Sequence, residues 1–290
     1  MPRAKALAAV IFWGISFVAT KAALQEVHPV TLIVIRFAFG LVVLAFAVWR
    51  SRVFRFLGAR DVLILAGLGA LTITVHQMLQ ATGLVFTTAS SMAWLVALSP
   101  VFTALLAWAV LSESFGVLKT AGLFVALIGA IVVVTRGRLS PETVRLPSTV
   151  GDVLALASAA NWAIVSVASK PVLRRLPSTL MMAYVMLLGW VLLVPFFVSA
   201  HGWRELGHVT PGGWGAVVFL GVFCSGVAYL FWYDALEQIE ASQVAAFIYL
   251  EPLVTVIAAA LLLGEAVRLA TFVGGLLILL GVYLVNRPAA

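Results

Sequence analysis

The two stretches that decide the fold are residues 89–113, ASSMAWLVALSPVFTALLAWAVLSE, and residues 241–265, ASQVAAFIYLEPLVTVIAAALLLGE. Both are continuously apolar and longer than the ~20 residues that an α-helix needs to cross the hydrocarbon core of a bilayer. Neither shows the short alternating pattern of a membrane β-strand. We therefore predict helices that span a membrane.

The composition of the whole chain agrees with a lipid environment. Of the 290 residues, 63% are hydrophobic and 10% are charged, whereas soluble domains average ~45–50% apolar and ~25% charged residues. The net charge of +7 is spread over short connections. This spread is typical of the positive-inside bias of membrane proteins and does not indicate a nucleic-acid partner. The single cysteine, Cys224, excludes an intrachain disulfide.

The hydropathy pattern predicts an all-α integral membrane protein with ten transmembrane helices. The spans lie at residues 5–24, 30–49, 61–81, 87–111, 117–135, 150–172, 178–199, 212–235, 241–263 and 269–286. A polar connection, residues 136–149, separates a first repeat of five helices, residues 1–135, from a second, residues 150–290.

The two halves are related by an internal repeat. At an offset of 149 early in each half and of 152 later, the halves share residue types that rarely match by chance: Trp13/Trp162, Lys21/Lys170, Gly40/Gly189, Pro100/Pro252 and Glu113/Glu265. Five spans per half is an odd number, so the second half enters the membrane from the opposite side. Such inverted repeats place a solute site near the midplane and expose it to each side in turn.

Lysine and arginine in the connections predict the orientation. More of them fall in the tails and in the even-numbered connections, for example Arg50, Arg52 and Arg55, than in the odd-numbered connections. The positive-inside bias places that side in the cytoplasm. We therefore expect a multi-pass protein of the inner (plasma) membrane with both termini in the cytoplasm.

Several segments are similar to a known family. The first span, FWGISFVATK at residues 12–21, resembles the opening of EamA-type members of the drug/metabolite transporter superfamily, and Arg36-Phe37 fits the same pattern. The blocks at residues 99–113 and 250–282 extend the resemblance over nearly the whole chain, as two tandem EamA-like units. The resemblance implies a ten-helix transporter with cytoplasmic termini that exports amino acids or related small metabolites. Because the family's substrates are diverse, it does not imply a particular solute.

Glu251 is the foremost candidate for solute binding. It lies near the middle of the ninth span, directly before Pro252, where a charge costs ~2.5–3.5 kcal/mol on insertion scales. The carboxyl group must therefore be protonated, paired or hydrated. It could bind a proton or a substrate amine, or it could satisfy backbone or hydroxyl donors at a helix kink. We predict such kinks at Pro252 and at its counterpart Pro100, because proline lacks an N–H group.

Three further charges lie inside predicted spans or at their ends. Arg36, in the second span, could anchor a substrate carboxylate or snorkel to the interface. Lys21 and Lys170 end the first helix of each half. There they could interact with helix dipoles and form gating ion pairs, or they could anchor the interface.

The third span carries a polar stripe. Thr72, His76, Gln80 and Gly83 recur at steps of three or four residues, so they share one face of a helix. Lipid would not accept such a face, which must lie against a cavity or a partner helix. His76 and Gln80 are thus candidates for solute binding, and the alternative for His76 is a satisfied buried imidazole. His76 is the only histidine of this stripe and has no carboxylate or thiolate clustered with it in the sequence, so we expect no metal site.

Aromatic residues predict the lining of a cavity. Tyrosine and tryptophan usually form belts at the interface, but Trp94, Trp162 and Tyr249 fall away from the predicted helix ends. Trp13 matches Trp162 by the repeat, so either both line the cavity or both pack structurally. Asn161 adjoins Trp162 and joins the candidates. A lining of this kind suits aromatic or apolar solutes.

These features favour a transporter that works by alternating access. Its expected partners are a small-molecule solute and the lipid bilayer, with protons as a candidate coupling ion and no cofactor. The alternatives are a channel or facilitative uniporter for another small solute and, less well supported, an intramembrane enzyme, whose Ser–His, paired-Asp or metal constellation the spans do not show. One chain holds both repeats, so the pathway requires no oligomer.

The connection after the eighth span is acidic. We expect its carboxylates to face solvent, namely those of Asp234, Glu237 and Glu240.

Overall fold

The computed structural model describes residues 1–87, 89–134, 150–263 and 269–286, with only the backbone at a few helical positions. Over these ranges the chain is helical and contains no strand, as the apolar runs predict. The helices are α1 (Pro2–Ala23), α2 (Pro29–Ser51), α3 (Ala59–Phe86), α4 (Ala89–Val96), α5 (Ser99–Leu111), α6 (Val117–Val134), α7 (Val150–Leu173), α8 (Ser178–Ser199), α9 (Pro211–Gln238), α10 (241–263) and α11 (Leu269–Val285). Two 3-10 helices, Gly202–Arg204 and Leu206–His208, lie between α8 and α9.

The outer surface of the helix bundle is apolar. In the described ranges, seven helices are long and apolar enough to cross a membrane, and three shorter apolar helices accompany them. Large side chains such as Phe46, Trp108 and Phe124 are 61–64% exposed. A surface of this kind is stable against lipid hydrocarbon and unstable against water. The number of crossings, ten by hydropathy, stays a prediction.

Two of the predicted spans are interrupted where proline occurs. A turn at residues 97–98 separates α4 from α5, and Pro100 lies in the first turn of α5. In α10, a 3-10 stretch, Ala246–Leu250, precedes Pro252, which lies in the first turn of the α-helical part, Glu251–Leu263. The first turn of a helix does not use the N–H group that proline lacks. Each proline thus lies in the first turn of an α-helical segment that follows a local change of backbone geometry, and the kinks themselves stay a prediction.

Helices α3 and α9 share an irregularity. Each has 28 residues, more than predicted, and each contains a π-helical stretch, Ala70–Val75 in α3 and Leu220–Val227 in α9. The two stretches overlap at the repeat offset of 152. A π-helical turn holds one extra residue, so it rotates the side chains that follow it around the helix.

Glycines permit a close crossing of α6 and α11. A Cβ added at Gly122 would lie 2.8 Å from the carbonyl oxygen of Gly281, and one added at Gly129 would lie 2.7 Å from the carbonyl oxygen of Gly274. These separations leave no room for a side chain larger than hydrogen. The two helices therefore pack backbone to backbone, as small residues allow in membranes.

Acidic side chains near the end of α9 connect distant elements. Asp234 pairs with Lys5 at 2.5 Å, and Glu240 pairs with Lys119 at 2.7 Å. Glu237 accepts a hydrogen bond from a backbone N–H at the start of α8, at 3.0 Å. Each carboxylate thus ties α9 or the residues after it to another element. Glu237 is nevertheless exposed, as expected, and the side chains of Asp234 and Glu240 are 28% and 43% exposed.

Candidate functional site

A small cavity lies where α1, α2, α3, α4, α7, α9 and α10 meet. Its volume is about 40 Å³, compared with ~30 Å³ for one water molecule in the liquid and ~300–1,000 Å³ for a typical ligand pocket. The cavity is therefore smaller than the pockets that usually hold a ligand. The lining residues are Trp13, Ser16, Phe17, Arg36, His76, Gln77, Gln80, Val96, Trp162, Tyr229, Ile248 and Glu251.

Most of the residues predicted to bind solute line this cavity. They come from five helices that are distant in sequence and include one of the three residues predicted to carry a gating charge. The set is Trp13, Arg36, His76, Gln80, Trp162 and Glu251.

The other predicted residues are placed elsewhere. The amide nitrogen of Asn161 donates to the carbonyl oxygen of Leu71 at 2.9 Å, so this side chain ties α7 to α3 and does not line the cavity. Tyr249 is fully buried in the core away from the lining, and its hydroxyl has no hydrogen-bond partner among the described residues. The side chain of Trp94 lies outside the described part of the structure.

Two opposite charges line the cavity without forming an ion pair. Arg36 is 6% exposed and Glu251 is 5% exposed. The Nε of Arg36 donates to the hydroxyl of Ser225 at 2.9 Å. Within the described structure, neither charge belongs to an ion pair. A desolvated charge is costly unless something compensates it, so Arg36 needs a partner and Glu251 needs a partner or a proton.

His76 is anchored through one ring nitrogen. Its Nδ1 lies 3.2 Å from the carbonyl oxygen of Ser158. A carbonyl oxygen only accepts, so Nδ1 carries the hydrogen and Nε2 of the neutral imidazole remains an acceptor. The ring thus satisfies both interpretations of the sequence, because it is a bonded buried imidazole and it also lines the cavity. Among the described residues, no group of three or more His, Cys, Asp and Glu side chains is arranged to hold a metal ion.

Aromatic rings form one wall of the cavity. The ring centroids of Trp13 and Trp162 are 5.4 Å apart, and their planes meet at 89°. Tyr229 completes the wall, with its centroid 5.5 Å from that of Trp13 and 6.2 Å from that of Trp162. Trp232 packs behind them, 5.1 Å from Trp13. Edge-to-face contacts of this kind stabilise a fixed arrangement of rings.

Sequence reasoning did not select several lining residues, and Gln77 and Tyr229 are a hydrogen-bonded pair among them. The amide nitrogen of Gln77 donates to the hydroxyl of Tyr229 at 3.0 Å. The two positions correspond at the repeat offset of 152, just as Trp13 and Trp162 correspond at 149. Corresponding residues of two units related by a two-fold axis touch only near that axis. The offset was therefore a signal in the sequence that could have identified this pair.

Lys21 and Lys170 lie away from the cavity and bind the ends of helices. The acceptors, at 2.5–3.2 Å, are the carbonyl oxygens of Leu84 and Thr87 for Lys21, and of Leu236 and Ile239 for Lys170. The two sets of carbonyls correspond at the offset of 152 and terminate α3 and α9. Lysine satisfies terminal carbonyls and interacts favourably with the helix dipole there. The structure thus shows helix-end contacts for both lysines, and within the described residues neither forms an ion pair.

The apolar exterior, the long helices and the polar cavity between them define a multi-pass membrane protein. A model of the EamA-like transporter family matches residues 4–135 and again residues 149–287. The chain therefore belongs to the EamA-like transporter family, which confirms the resemblance seen in the sequence. It is a transporter and not an enzyme.

Relatives with related names cover almost the whole chain. The chain is 30% identical over 279 residues to an uncharacterized transporter from Archaeoglobus fulgidus, covering 94% of this chain and 93% of the relative. It is 30% identical to a probable terminal-alkyne amino-acid exporter from Streptantibioticus cattleyicolor, covering 96% and 91%. It is 27% identical to a probable amino-acid metabolite efflux pump from Salmonella typhimurium, covering 96% and 92%. One solved crystal structure superposes with a TM-score of 0.78 at 20% identity, over 98% of this chain and 95% of that chain, and so shares the fold.

Proposed function

We propose that the protein exports amino acids or related small metabolites across the inner (plasma) membrane by alternating access. The relatives named as an amino-acid exporter and an amino-acid metabolite efflux pump support this class of solute. The observation that carries the proposal is that Arg36 and Glu251, both buried and outside any ion pair of the described structure, line one cavity.

A zwitterionic amino acid complements these two charges. The guanidinium of Arg36 binds the solute carboxylate, since its terminal nitrogens make no hydrogen bond within the described structure and suit a carboxylate bidentately. Glu251 binds the ammonium group. Arg36 lies in the first family match and Glu251 in the second, so a bound solute bridges the two halves. Movement of one half against the other then opens the site to one side of the membrane at a time.

Reciprocal contacts support two inverted repeats of five helices, residues 1–135 and 150–290. Gly122 of α6 contacts Gly281 of α11, and Gly129 of α6 contacts Gly274 of α11. The offset of 152 converts each contact into the other, because it aligns Gly122 with Gly274 and Gly129 with Gly281. A two-fold axis between the halves produces reciprocal contacts of this kind. Repeats inverted in this way give alternating access to a site at the midplane.

Contacts at the helix ends support cytoplasmic termini. Connections assigned to the inner side touch each other, since Arg55 bonds the carbonyl oxygen of Arg175 at 3.4 Å and Lys119 pairs with the connection before α10. Connections assigned to the outer side do the same, because Glu26 accepts a hydrogen bond from the N–H of Thr210 at 2.7 Å. The first group is rich in arginine, and the positive-inside bias places such a face in the cytoplasm.

Counterflow in proteoliposomes tests the proposal. Liposomes containing the purified protein are preloaded with an unlabelled amino acid, nucleoside or sugar, and uptake of the labelled solute is followed. We expect transient, saturable accumulation of one or more amino acids and none of nucleosides or sugars. Flux that does not saturate and shows no counterflow would indicate a channel. Counterflow that is indifferent to an imposed pH gradient would indicate a facilitative uniporter.

Glu251→Gln tests the role of the carboxylate. The change keeps the size and the hydrogen-bonding capacity of the side chain but removes its ionisation. We expect the apparent affinity for the solute to fall ~10–100-fold, the usual value of a charged hydrogen bond. The dependence of transport on pH should flatten, while the thermal stability stays near that of the wild type.

The matched control is Glu240→Gln, which removes a half-exposed carboxylate outside the cavity. It should leave the apparent affinity unchanged. Wild-type affinity and pH dependence in Glu251→Gln would mean that Glu251 is a neutral structural group beside Pro252.

A further inference from the structure

Arginines gather where two connections of the chain meet. The guanidinium of Arg55, after α2, donates to the carbonyl oxygen of Arg175, after α7, at 3.4 Å. The hydroxyl of Tyr184 in α8 donates to the carbonyl oxygen of Arg55 at 3.0 Å, and Arg175 pairs with Asp61 at 2.8 Å. One connection lies in the first family match and the other in the second. This meeting place, which we call the arginine seam, comprises residues 49–61 and 174–175.

Most of the positive charge of the arginine seam has no carboxylate partner. All six of its arginines are exposed, namely Arg50, Arg52, Arg55, Arg60, Arg174 and Arg175. Within the described structure, only Arg175 among them forms an ion pair. A carboxylate close by, that of Glu237, already accepts a hydrogen bond from the N–H of Ser178 at 3.0 Å. The other five guanidinium groups are therefore free to attract anions from outside the protein.

Exposed aromatic rings place the arginine seam at the membrane surface. Its first part, WRSRVFRF at residues 49–56, holds three arginines among three aromatic rings. The rings of Phe54 and Phe56 are in contact, with centroids 5.2 Å apart, and Phe56 is 90% exposed. Trp49 is exposed beside Phe46, at 5.7 Å. Because such rings are more stable in the interface of a bilayer than in water, the guanidinium groups between them lie at the level of the lipid headgroups.

We propose that the arginine seam binds the headgroups of anionic phospholipids. The ligand class is a phospholipid whose phosphodiester charge is not cancelled by an ammonium group of its own headgroup. A lipid with two phosphodiester groups, such as cardiolipin, binds more tightly than a lipid with one, because it can engage arginines of both connections. The solute and its cavity take no part in this site, so the inference does not depend on the proposed function.

The chemistry of the guanidinium group suits a phosphodiester. Its planar fork donates two parallel hydrogen bonds to two oxygens of the same phosphate. Each basic side chain near an anionic membrane surface strengthens binding about fivefold. Phosphatidylcholine carries the same phosphodiester, but its quaternary ammonium group is repelled by the arginines. The arginine seam therefore distinguishes phospholipids by their net charge.

Lipid titrations of the purified full-length protein in a neutral detergent test the inference. Native mass spectrometry gives the dissociation constant of the first bound lipid for phosphatidylcholine, phosphatidylglycerol and cardiolipin. We expect phosphatidylglycerol to bind about 25-fold or more tightly than phosphatidylcholine, as two engaged arginines imply, and cardiolipin to bind more tightly still. Equal affinities for phosphatidylcholine and phosphatidylglycerol would overturn the inference. Cardiolipin that binds no more tightly than phosphatidylglycerol would contradict the engagement of both connections.

A soluble phosphate is the alternative source of the same chemistry. Glycerol 3-phosphate has the charged part of the headgroup and no acyl chains, so we expect it to bind far more weakly than phosphatidylglycerol. If it bound as tightly, the arginine seam would be a site for soluble phosphates and the assignment to lipid would be wrong.

Charge-removing variants locate the site. Arg52→Gln combined with Arg55→Gln removes two charges after α2, and Arg174→Gln removes one after α7. We expect phosphatidylglycerol to bind about 25-fold more weakly to the first variant and about fivefold more weakly to the second, with phosphatidylcholine unaffected. The matched control is Arg204→Gln, which removes an exposed arginine between α8 and α9 and should leave both affinities unchanged.

The exposure of these arginines keeps the comparison interpretable. None of the substituted side chains is buried, so each variant should melt near the temperature of the wild type. Wild-type affinity for phosphatidylglycerol in a variant that lacks Arg52, Arg55 and Arg174 together would reject the arginine seam as the site. An equal loss in Arg204→Gln would also reject it, because the attraction would then follow the total charge of the protein.

Discussion

At the scale of single residues, the buried Arg36 and the half-buried Lys21 and Lys170 differ in what compensates their charge. Lys21 and Lys170 each donate to two backbone carbonyls at the end of a helix. Arg36 has the hydroxyl of Ser225 as its hydrogen-bond partner and otherwise lines the cavity. The lysines are therefore held by the protein, whereas the arginine retains binding capacity. We therefore expect structural roles for the lysines, and the proposed function gives the solute carboxylate to Arg36.

Methionine substitutions test the structural role of the lysines. Lys21→Met and Lys170→Met keep most of the apolar stem but leave the terminal carbonyls without their charged donor. We expect each to lower the free energy of unfolding by ~1.5–3 kcal/mol, the value of a hydrogen bond to a charged group. Thermal unfolding of the detergent-solubilised protein measures the effect.

The control for both lysines is Lys5→Met. Lys5 pairs with Asp234 at a partly exposed site, where an ion pair is worth ~0–1 kcal/mol, so the loss should be smaller. Normal stability combined with altered transport in Lys21→Met or Lys170→Met would instead point to the gating role that the sequence left open.

At the scale of helices, the bundle depends on local departures from ideal α geometry. The π-helical stretches, Ala70–Val75 and Leu220–Val227, directly precede the lining residues His76, Gln77 and Tyr229. Hydropathy could not predict these stretches, because an added residue in a helical turn leaves the apolar run unbroken. The breaks before Pro100 and Pro252 were signalled by the prolines. The sequence did not show that an α-helical segment begins one residue before each proline, at Ser99 and at Glu251.

Valine at Gly129 tests the crossing of α6 and α11. A side chain there would collide with the carbonyl oxygen of Gly274. We expect Gly129→Val to destabilise the protein by ~1–3 kcal/mol or more, because overpacked contacts force the helices apart. The yield of monodisperse protein in size-exclusion chromatography and its melting temperature report the loss.

Gly67→Ala is the matched control, since an added Cβ at Gly67 meets no atom within 4 Å. Alanine favours a helix over glycine by ~0.5–1 kcal/mol, so this variant should be as stable as the wild type or slightly more stable. Equal stability of Gly129→Val and Gly67→Ala would show that the two helices do not depend on close contact.

At the scale of the whole molecule, the contacts at the helix ends sort into two groups. The start of α1 meets the end of α9 through Lys5 and Asp234, and the connection before α2 meets the connection before α9 through Glu26 and Thr210. This division is what two inverted units of five helices require. It also predicts which connections are reachable from each side of the membrane.

Cysteine labelling in intact cells tests that division. In a Cys224→Ser background, Phe56→Cys introduces a thiol in the connection after α2, and His208→Cys introduces one in the connection before α9. Both positions are exposed. An impermeant thiol reagent should label the second in intact cells and the first only after the membrane is opened. Equal labelling of both in intact cells would contradict the inverted repeats.

The sequence by itself determined the lipid environment, the helical class, the family and the internal repeat. It could do so because composition and offset are properties of the chain that need no knowledge of contacts. It also identified Glu251, Arg36, His76 and Trp162, since polar and aromatic groups inside apolar spans are costly and stand out.

Only the tertiary structure decided which of these residues share a cavity. Trp13 and Trp162 are in contact although their helices are far apart in the chain. Asn161 and Tyr249 are neighbours of Trp162 and Glu251 in the sequence, but neither lines the cavity. The direction of a side chain depends on how its helix is rotated in the bundle, and that rotation depends on contacts with other helices, such as the bond from Asn161 of α7 to Leu71 of α3. The pattern of residue types along the chain does not contain the distances between side chains of different helices. The cluster of Trp13, Trp162 and Tyr229 is therefore visible only in the packed fold, where helices from both halves bring the three rings into contact.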